Sequence, residues 1–310
     1  MDRAAVVDFT RRAGRSVVRV GAMATADLRP EPELIVIGVK RGGTTSLFRD
    51  VERHPAMCPL VPSARRLPLR ENMKGVHYFD SNFDRSSRWY RSHFPTSVAR
   101  RWHERGAGAA FAAEASPYYL FHPLAAARAA SQLTGTHFVA MLRDPVERTV
   151  SHWAEQTRNG VEVLSLTDAL DAEQERVGDA GVRLADGTLQ VSNAHEQQSY
   201  ASQSEYGASL QRWRDAVGPD RVHVVFAEVY YADPQGVLDV ITDVLGLPPV
   251  PAAAEQTHRN AAPRPSRVDP AVEQRLVDRF APDVDVVAGL TGRRPPWPRF
   301  GGASPVPDPQ

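Results

Sequence analysis

Leu34-Ile35-Val36-Ile37-Gly38-Val39-Lys40-Arg41-Gly42-Gly43-Thr44-Thr45-Ser46 is the stretch that decides the fold. Its first four residues are apolar without a break and mostly β-branched, which marks a strand covered on both faces, as in a parallel sheet. Glycines follow, and Thr44 to Arg53 then places Leu47, Phe48 and Val51 on one helical side before His54-Pro55 stops the pattern. A strand, a glycine-rich turn and a helix in that order leave the first backbone N–H groups of the helix without partners, at the positive end of its dipole. Such a helix start binds anions.

The alternation continues outward. Phe111-Ala112-Ala113, Phe138 to Leu142 and His223 to Phe226 read as further strands, and Pro123 to Gln132, Val146 to Arg158 and Pro234 to Leu245 as helices. Strands alternating with helices predict an α/β fold, a P-loop-like, mostly parallel central sheet flanked by helices on both faces. Residues 31–295 are expected to form one catalytic domain, preceded by a basic helical extension over residues 1–30. Residues 296–310, rich in proline, are expected to be an extended, partly disordered tail. The regions Pro59 to Leu69, Val177 to Asn193 and Pro248 to Arg267 read as lids and substrate loops.

Composition narrows the function. Of 310 residues, 42% are apolar and 24% charged, an ordinary globular balance. Lys plus Arg equals Asp plus Glu at 37 each, so no global field advertises nucleic acid, and an anion site must be a local cluster. One cysteine, Cys58, excludes an internal disulfide and argues against a structural zinc site; a reducing cytoplasm suits it. Arg3, Arg11, Arg12, Arg15 and Arg19 lie among apolar runs too short for a signal peptide or a membrane span. Residues 6–20 read as a terminal helix packed on the domain, with peripheral membrane contact as the alternative.

Gly38 and Gly43 have the G-x-x-x-x-G spacing of a phosphate loop, but Thr44 stands where a nucleoside triphosphatase places its lysine. The cations are Lys40 and Arg41, inside the loop, where either can stabilise charge on a leaving oxygen. Gly42, Gly43, Thr44, Thr45 and Ser46 supply N–H and hydroxyl donors, with helix capping as the competing use of Thr45 and Ser46. A second anion motif is Leu142-Arg143-Asp144-Pro145-Val146-Glu147-Arg148-Thr149-Val150-Ser151. Asp144 and Pro145 open a helix there, and Arg143 and Ser151 are spaced to share one phosphate.

Together these two motifs resemble the 5′-phosphosulfate loop and the 3′-phosphate motif of sulfotransferases, in particular the branch of heparan-sulfate and bacterial carbohydrate enzymes. The resemblance spans about residues 33–295 and implies transfer of a sulfuryl group from 3′-phosphoadenosine 5′-phosphosulfate, with no metal. The acceptor is then a hydroxyl or amine of a small molecule, glycan or glycolipid. Arg143 and Ser151 match the pair that holds the 3′-phosphate, and Arg41 stands where the branch commonly has lysine. Either Lys40 or Arg41 is left to meet the leaving group.

Lys74-Gly75-Val76-His77-Tyr78-Phe79-Asp80 resembles the acceptor segment, in which a glutamate base often follows the lysine; here Gly75 takes that place. His77 is the nearest replacement, a neutral imidazole able to take the acceptor's proton, although a packed structural histidine is the competing reading. Glu71 and Glu114 stand behind it as base candidates. Glu114-Ala115-Ser116-Pro117-Tyr118-Tyr119 resembles a further family segment, in which some relatives carry lysine where Ala115 stands, and assigns Glu114 a site role. By the same resemblance the basic loop His258 to Arg267 closes over the nucleotide, with Arg264 and Arg267 on its phosphates. The competing readings are a P-loop kinase or nucleotide hydrolase, and a non-catalytic nucleotide-binding protein.

Overall fold

Four parallel strands, β1 (Leu34–Gly38), β2 (Ala113–Ala115), β3 (His137–Leu142) and β4 (Val222–Phe226), lie side by side in the order β2-β1-β3-β4. The computed structural model of the protein describes residues 19–61, 74–249, 268–303 and 305. All five residues of β1 are buried, and successive side chains enter opposite layers. Leu34 and Val36 join Val139 and Met141 under α1 (Thr44–Glu52), and Ile35 and Ile37 join Phe138, Ala140 and Leu142 on the other face.

The second face is covered by α2 (Ala125–Ala130), which precedes β3, by α6 (Gly207–Val217) through Leu210, Trp213 and Val217, and by α8 (Pro270–Thr291). Helix α3 (Pro145–Arg158) follows β3, and α4 (Leu166–Val177) and α5 (Asn193–Gln197) come after it. Helix α7 (Pro234–Val244) packs with α1 through Val237, Leu238 and Ile241. From β1 the chain turns toward β2 and from β3 toward β4, so the loops at the carboxyl ends of β1 and β3 diverge. In an open α/β sheet that divergence creates the ligand crevice.

Three expectations need correction. The second strand forms two residues later than the apolar pattern placed it: Phe111 makes only an isolated bridge to Met57, while the ladder runs Leu34 to Ala113, Ile35 to Glu114 and Val36 to Ala115. A charged residue inside a buried strand hid it. Second, the 22-residue α8 was not anticipated, although Val272, Leu276, Phe280, Val284 and Val287 recur at helical spacing.

Third, the proline-rich stretch begins as core. Trp297 is fully buried against Tyr206 and Phe226, its Nε1 donates to Glu228 at 3.0 Å, and Phe300 is buried beside it. Large aromatic area outweighs the extended preference of the prolines around it. At the amino end, the Arg19 guanidinium donates to Ser92 Oγ (3.0 Å) and the Val61 carbonyl (2.8 Å), so this part of the extension packs on the domain. Residues 6–18 of the expected terminal helix lie outside the described residues.

Candidate functional site

The loop after β1 is shaped by steric necessity. A Cβ on Gly42 would stand 2.5 Å from the Met141 carbonyl oxygen, and Gly43, the N-cap of α1, has φ of 97°. No side chain caps α1, so its amino end stays available to an anion. The backbone also enters the left-handed region at two non-glycine residues, Arg41 (φ 69°) and His77 (φ 52°). Such conformations cost on the order of 1–3 kcal/mol each and collect at functional sites. Among the described residues these are the two that adopt it, and both belong to the predicted site.

The crevice brings the two anion motifs together. Arg41 Nε donates to Ser151 Oγ at 3.1 Å and its Nη1 pairs with Glu155 at 2.6 Å, joining the loop to α3. Arg143, at the end of β3, reaches the Arg41 carbonyl at 3.4 Å and Glu147 at 3.3 Å. Arg143 and Ser151 thus both contact Arg41, one at its carbonyl and the other at its guanidinium. Asp144 caps α3 as the sequence implied, accepting from the N–H groups of Val146 and Glu147. Lys40 turns elsewhere: its ammonium donates to Glu196 Oε1 at 2.8 Å and Gln197 Oε1 at 3.0 Å on α5.

Arg148, on α3 beyond its Asp144 cap, is fully buried. Its guanidinium donates to the Lys40 carbonyl (2.9 Å), the Tyr200 carbonyl (2.8 Å), Ser204 Oγ (3.1 Å), Gln203 Oε1 (3.2 Å) and His152 Nδ1 (2.9 Å). Burial lowers its pKa to about 10. Five acceptors on three segments make this side chain the brace that fixes the loop backbone to α3 and to residues 200–204. The sequence signal was its position, one helical turn beyond Asp144 and facing inward.

The segment 74–80 forms the other wall. Lys74 Nζ donates to Thr45 Oγ1 (2.9 Å) and Thr44 Oγ1 (3.2 Å), at the amino end of α1. Gly75 is not a vacant base position: a Cβ there would lie 2.4 Å from the Ala115 carbonyl oxygen, because the backbone runs against β2. His77 Nδ1 hydrogen-bonds the buried Asp80 carboxylate at 2.8 Å while the imidazole stays 41% exposed, open to a ligand. Burial opposes the charged imidazole, but the hydrogen bond and charge of Asp80 outweigh it, so the His77 pKa is raised.

Glu114 holds this wall from behind. It is fully buried, and its carboxylate accepts from Val76 N–H (2.7 Å), Ser116 Oγ (2.8 Å), Tyr90 OH (3.0 Å) and Tyr119 OH (3.3 Å). Burial raises its pKa against those hydrogen bonds. With four donors and no exposure it lies behind the crevice and not on its surface, where the expectation of a catalytic Glu114 had placed it. Glu71, Arg264 and Arg267 lie outside the described residues. Among the described residues no cluster of His, Cys, Asp and Glu has the arrangement to hold a metal ion, and no helix is long and apolar enough to cross a membrane.

Comparison with known proteins agrees with this architecture. A solved sulfotransferase from Alicyclobacillus acidocaldarius superposes with a TM-score of 0.61 at 24% identity, covering 85% of this chain and 97% of that one, which establishes a shared fold. The membrane-associated sulfotransferase kil1 of Dictyostelium discoideum is 30% identical over 124 residues, 39% of this chain and 22% of that protein. Human heparan sulfate glucosamine 3-O-sulfotransferase 3B1 is 24% identical over 216 residues, 70% of this chain and 46% of that protein. The chain thus spans less than half the length of these curated relatives. The sequence model of the Sulfotransferase family matches residues 32–251, all four strands and both motifs, and the chain belongs to the sulfotransferase family.

Proposed function

We propose that the protein transfers a sulfuryl group from 3′-phosphoadenosine 5′-phosphosulfate to a hydroxyl or amine of a polar acceptor. The observation that carries this reading is the contact between Arg41 and Ser151, which joins the loop after β1 to the motif after β3 across one crevice. A donor with phosphates at both ends of its adenosine needs two anion sites at a fixed separation. Arg143 and Ser151 take the 3′-phosphate, and the amino end of α1 with Thr44, Thr45 and Ser46 takes the 5′-phosphosulfate.

The acceptor oxygen or nitrogen attacks sulfur in line with the bond from sulfur to the phosphate oxygen. A bond from acceptor to sulfur forms, and that sulfur–oxygen bond breaks with its electron pair going to 3′-phosphoadenosine 5′-phosphate. The acceptor's proton passes to His77 Nε2, since Nδ1 faces Asp80. Asp80 keeps the ring oriented and stabilises the imidazolium that forms. Positioning the two substrates and stabilising charge on the leaving phosphate supply most of the acceleration.

The acceptor side is polar: His77, Lys40 and Glu196 offer both signs of charge, which suits a sugar or another hydroxyl-rich molecule. The human relative's name specifies a glycan acceptor, and that class heads the list to assay. A reducing cytoplasm fits the single, buried Cys58. The test is a nucleotide panel read by thermal shift. Stabilisation by 3′-phosphoadenosine 5′-phosphate without magnesium supports the reading; stabilisation by ATP with magnesium replaces it with a kinase, and by neither with a scaffold.

A further inference from the structure

Trp297-Pro298-Arg299-Phe300 places a charged residue between two aromatic anchors. Both aromatics are buried, and the 3₁₀ turn Pro298–Phe300 joins them, with the Phe300 N–H donating to the Trp297 carbonyl at 2.9 Å. Arg299 is thereby laid against the start of α3, where its guanidinium meets three carboxylates. Nε pairs with Glu273 on α8 at 2.6 Å, Nη1 with Asp144 at 3.2 Å and Nη2 with Glu147 at 3.3 Å. Glu147 is shared between two arginines: Oε1 faces Arg299, and Oε2 faces Arg143 Nη2 at 3.3 Å.

The same anchor reaches the backbone of the motif after β3. The Glu228 carboxylate that accepts from Trp297 Nε1 also accepts from the Asp144 N–H at 2.9 Å, and the Tyr206 hydroxyl donates to the Arg143 carbonyl at 2.8 Å. Position and charge at Arg143 are therefore both coupled to residues 297–300. The charge needs the coupling. Asp144 and Glu147 are acidic groups beside a proposed phosphate site, where they oppose a second anion, and Glu147 also competes with it for Arg143. Asp144 is retained as the cap of α3. A rigid guanidinium fork can hold several carboxylates at once.

We infer that Arg299 is a positioning residue for the nucleotide: by holding Glu147 and Asp144 from the far side, it lets the Arg143 guanidinium exchange Glu147 for the 3′-phosphate. This rests on the role proposed above for Arg143 and goes beyond it, since Arg299 acts on the phosphate only through its neighbours. When the phosphate takes Arg143, Glu147 keeps the cation at its other oxygen. Without Arg299 the pull of Glu147 on Arg143 grows, and the phosphate must overcome it.

The experiment compares 3′-phosphoadenosine 5′-phosphate with adenosine 5′-phosphate, which lacks the 3′ group, by calorimetry. In Arg299→Met the first is expected to bind roughly threefold to tenfold more weakly, a modest loss because the side chain is 34% exposed, while the second stays within about twofold. Arg299→Lys recovers part of the loss. Adding Glu147→Gln to Arg299→Met removes the competing carboxylate and should return the affinity to within about twofold of wild type. Equal weakening of both probes, weakening of neither, or a loss that Glu147→Gln does not reverse overturns the assignment, the last because it marks a segment that only supports the fold. Glu147→Gln alone leaves Trp297, Arg299 and Phe300 in place and should bind 3′-phosphoadenosine 5′-phosphate at least as tightly as wild type; weaker binding likewise overturns it. Failure of the parent reading is separate: wild type then does not bind that nucleotide, or Arg143→Ala binds it equally well.

Discussion

The two walls of the crevice are built in different ways. The donor wall consists of short contiguous motifs, each a strand end followed by a helix start: Gly38 to Ser46 with α1, and Arg143 to Ser151 with α3. Their chemistry is backbone geometry plus side chains at fixed local spacing. The acceptor wall, residues 74–80, is not a regular element, and its shape is imposed from outside by Glu114 on β2, by Ser116 and by the Tyr119 hydroxyl. The donor wall should therefore keep its shape when a single side chain is lost, whereas the proposed acceptor wall depends for its shape on a buried carboxylate behind it.

The widest separation between the walls is expected in His77→Ala. Turnover should fall by roughly 10²- to 10⁴-fold, the usual contribution of a general base, with the affinity for 3′-phosphoadenosine 5′-phosphate unchanged. Single-turnover kinetics beside calorimetry check this. A parallel loss of nucleotide affinity would mean that the walls are one unit.

Glu114→Ala comes next. It leaves Val76 N–H and the Tyr90 and Tyr119 hydroxyls as buried donors without their acceptor. Denaturant unfolding should show a loss of about 3 kcal/mol, and activity should fall with it. Unchanged stability would refute the view that the wall is held from β2.

Arg143→Ala probes the other side. Nucleotide affinity should drop by roughly tenfold to a hundredfold, with the fold intact, because the guanidinium is partly exposed and its contacts to Glu147 (3.3 Å) and the Arg41 carbonyl (3.4 Å) are long. Adenosine 5′-phosphate, lacking the 3′ group, should bind the variant and wild type alike.

A fourth test uses pH. His77 works as a base only when neutral, and Asp80 raises its pKa above 6.5, so kcat/KM should climb about tenfold per pH unit until pH passes that raised value. Removing the carboxylate in Asp80→Asn removes what raises the His77 pKa, so the acid limb should move to lower pH. An unmoved acid limb would assign it to another group.

The smallest effect belongs to Lys40→Ala. Lys40 points to Glu196 and Gln197 and away from the helix start, so nucleotide affinity should change by only a few-fold, while stability falls by about 1–3 kcal/mol because the largely buried Glu196 carboxylate loses its partner. A large loss of affinity would place Lys40 at the leaving group.

Sequence alone determined the α/β class, the loop after β1 and the helix start at Asp144-Pro145. Those are local properties: unbroken β-branched runs, glycines where the backbone must turn sharply, and a cap next to proline write themselves within a few residues. Only the tertiary structure decided which partner each cation takes. It turned Lys40 toward Glu196, buried Arg148 as a brace, withdrew Glu114 behind the wall, docked Trp297 into the core and delivered Lys74 to a helix start about thirty residues away in the chain. Side-chain partners of that kind depend on distances between segments remote in sequence, and the order of the strands, rather than any local pattern, sets those distances.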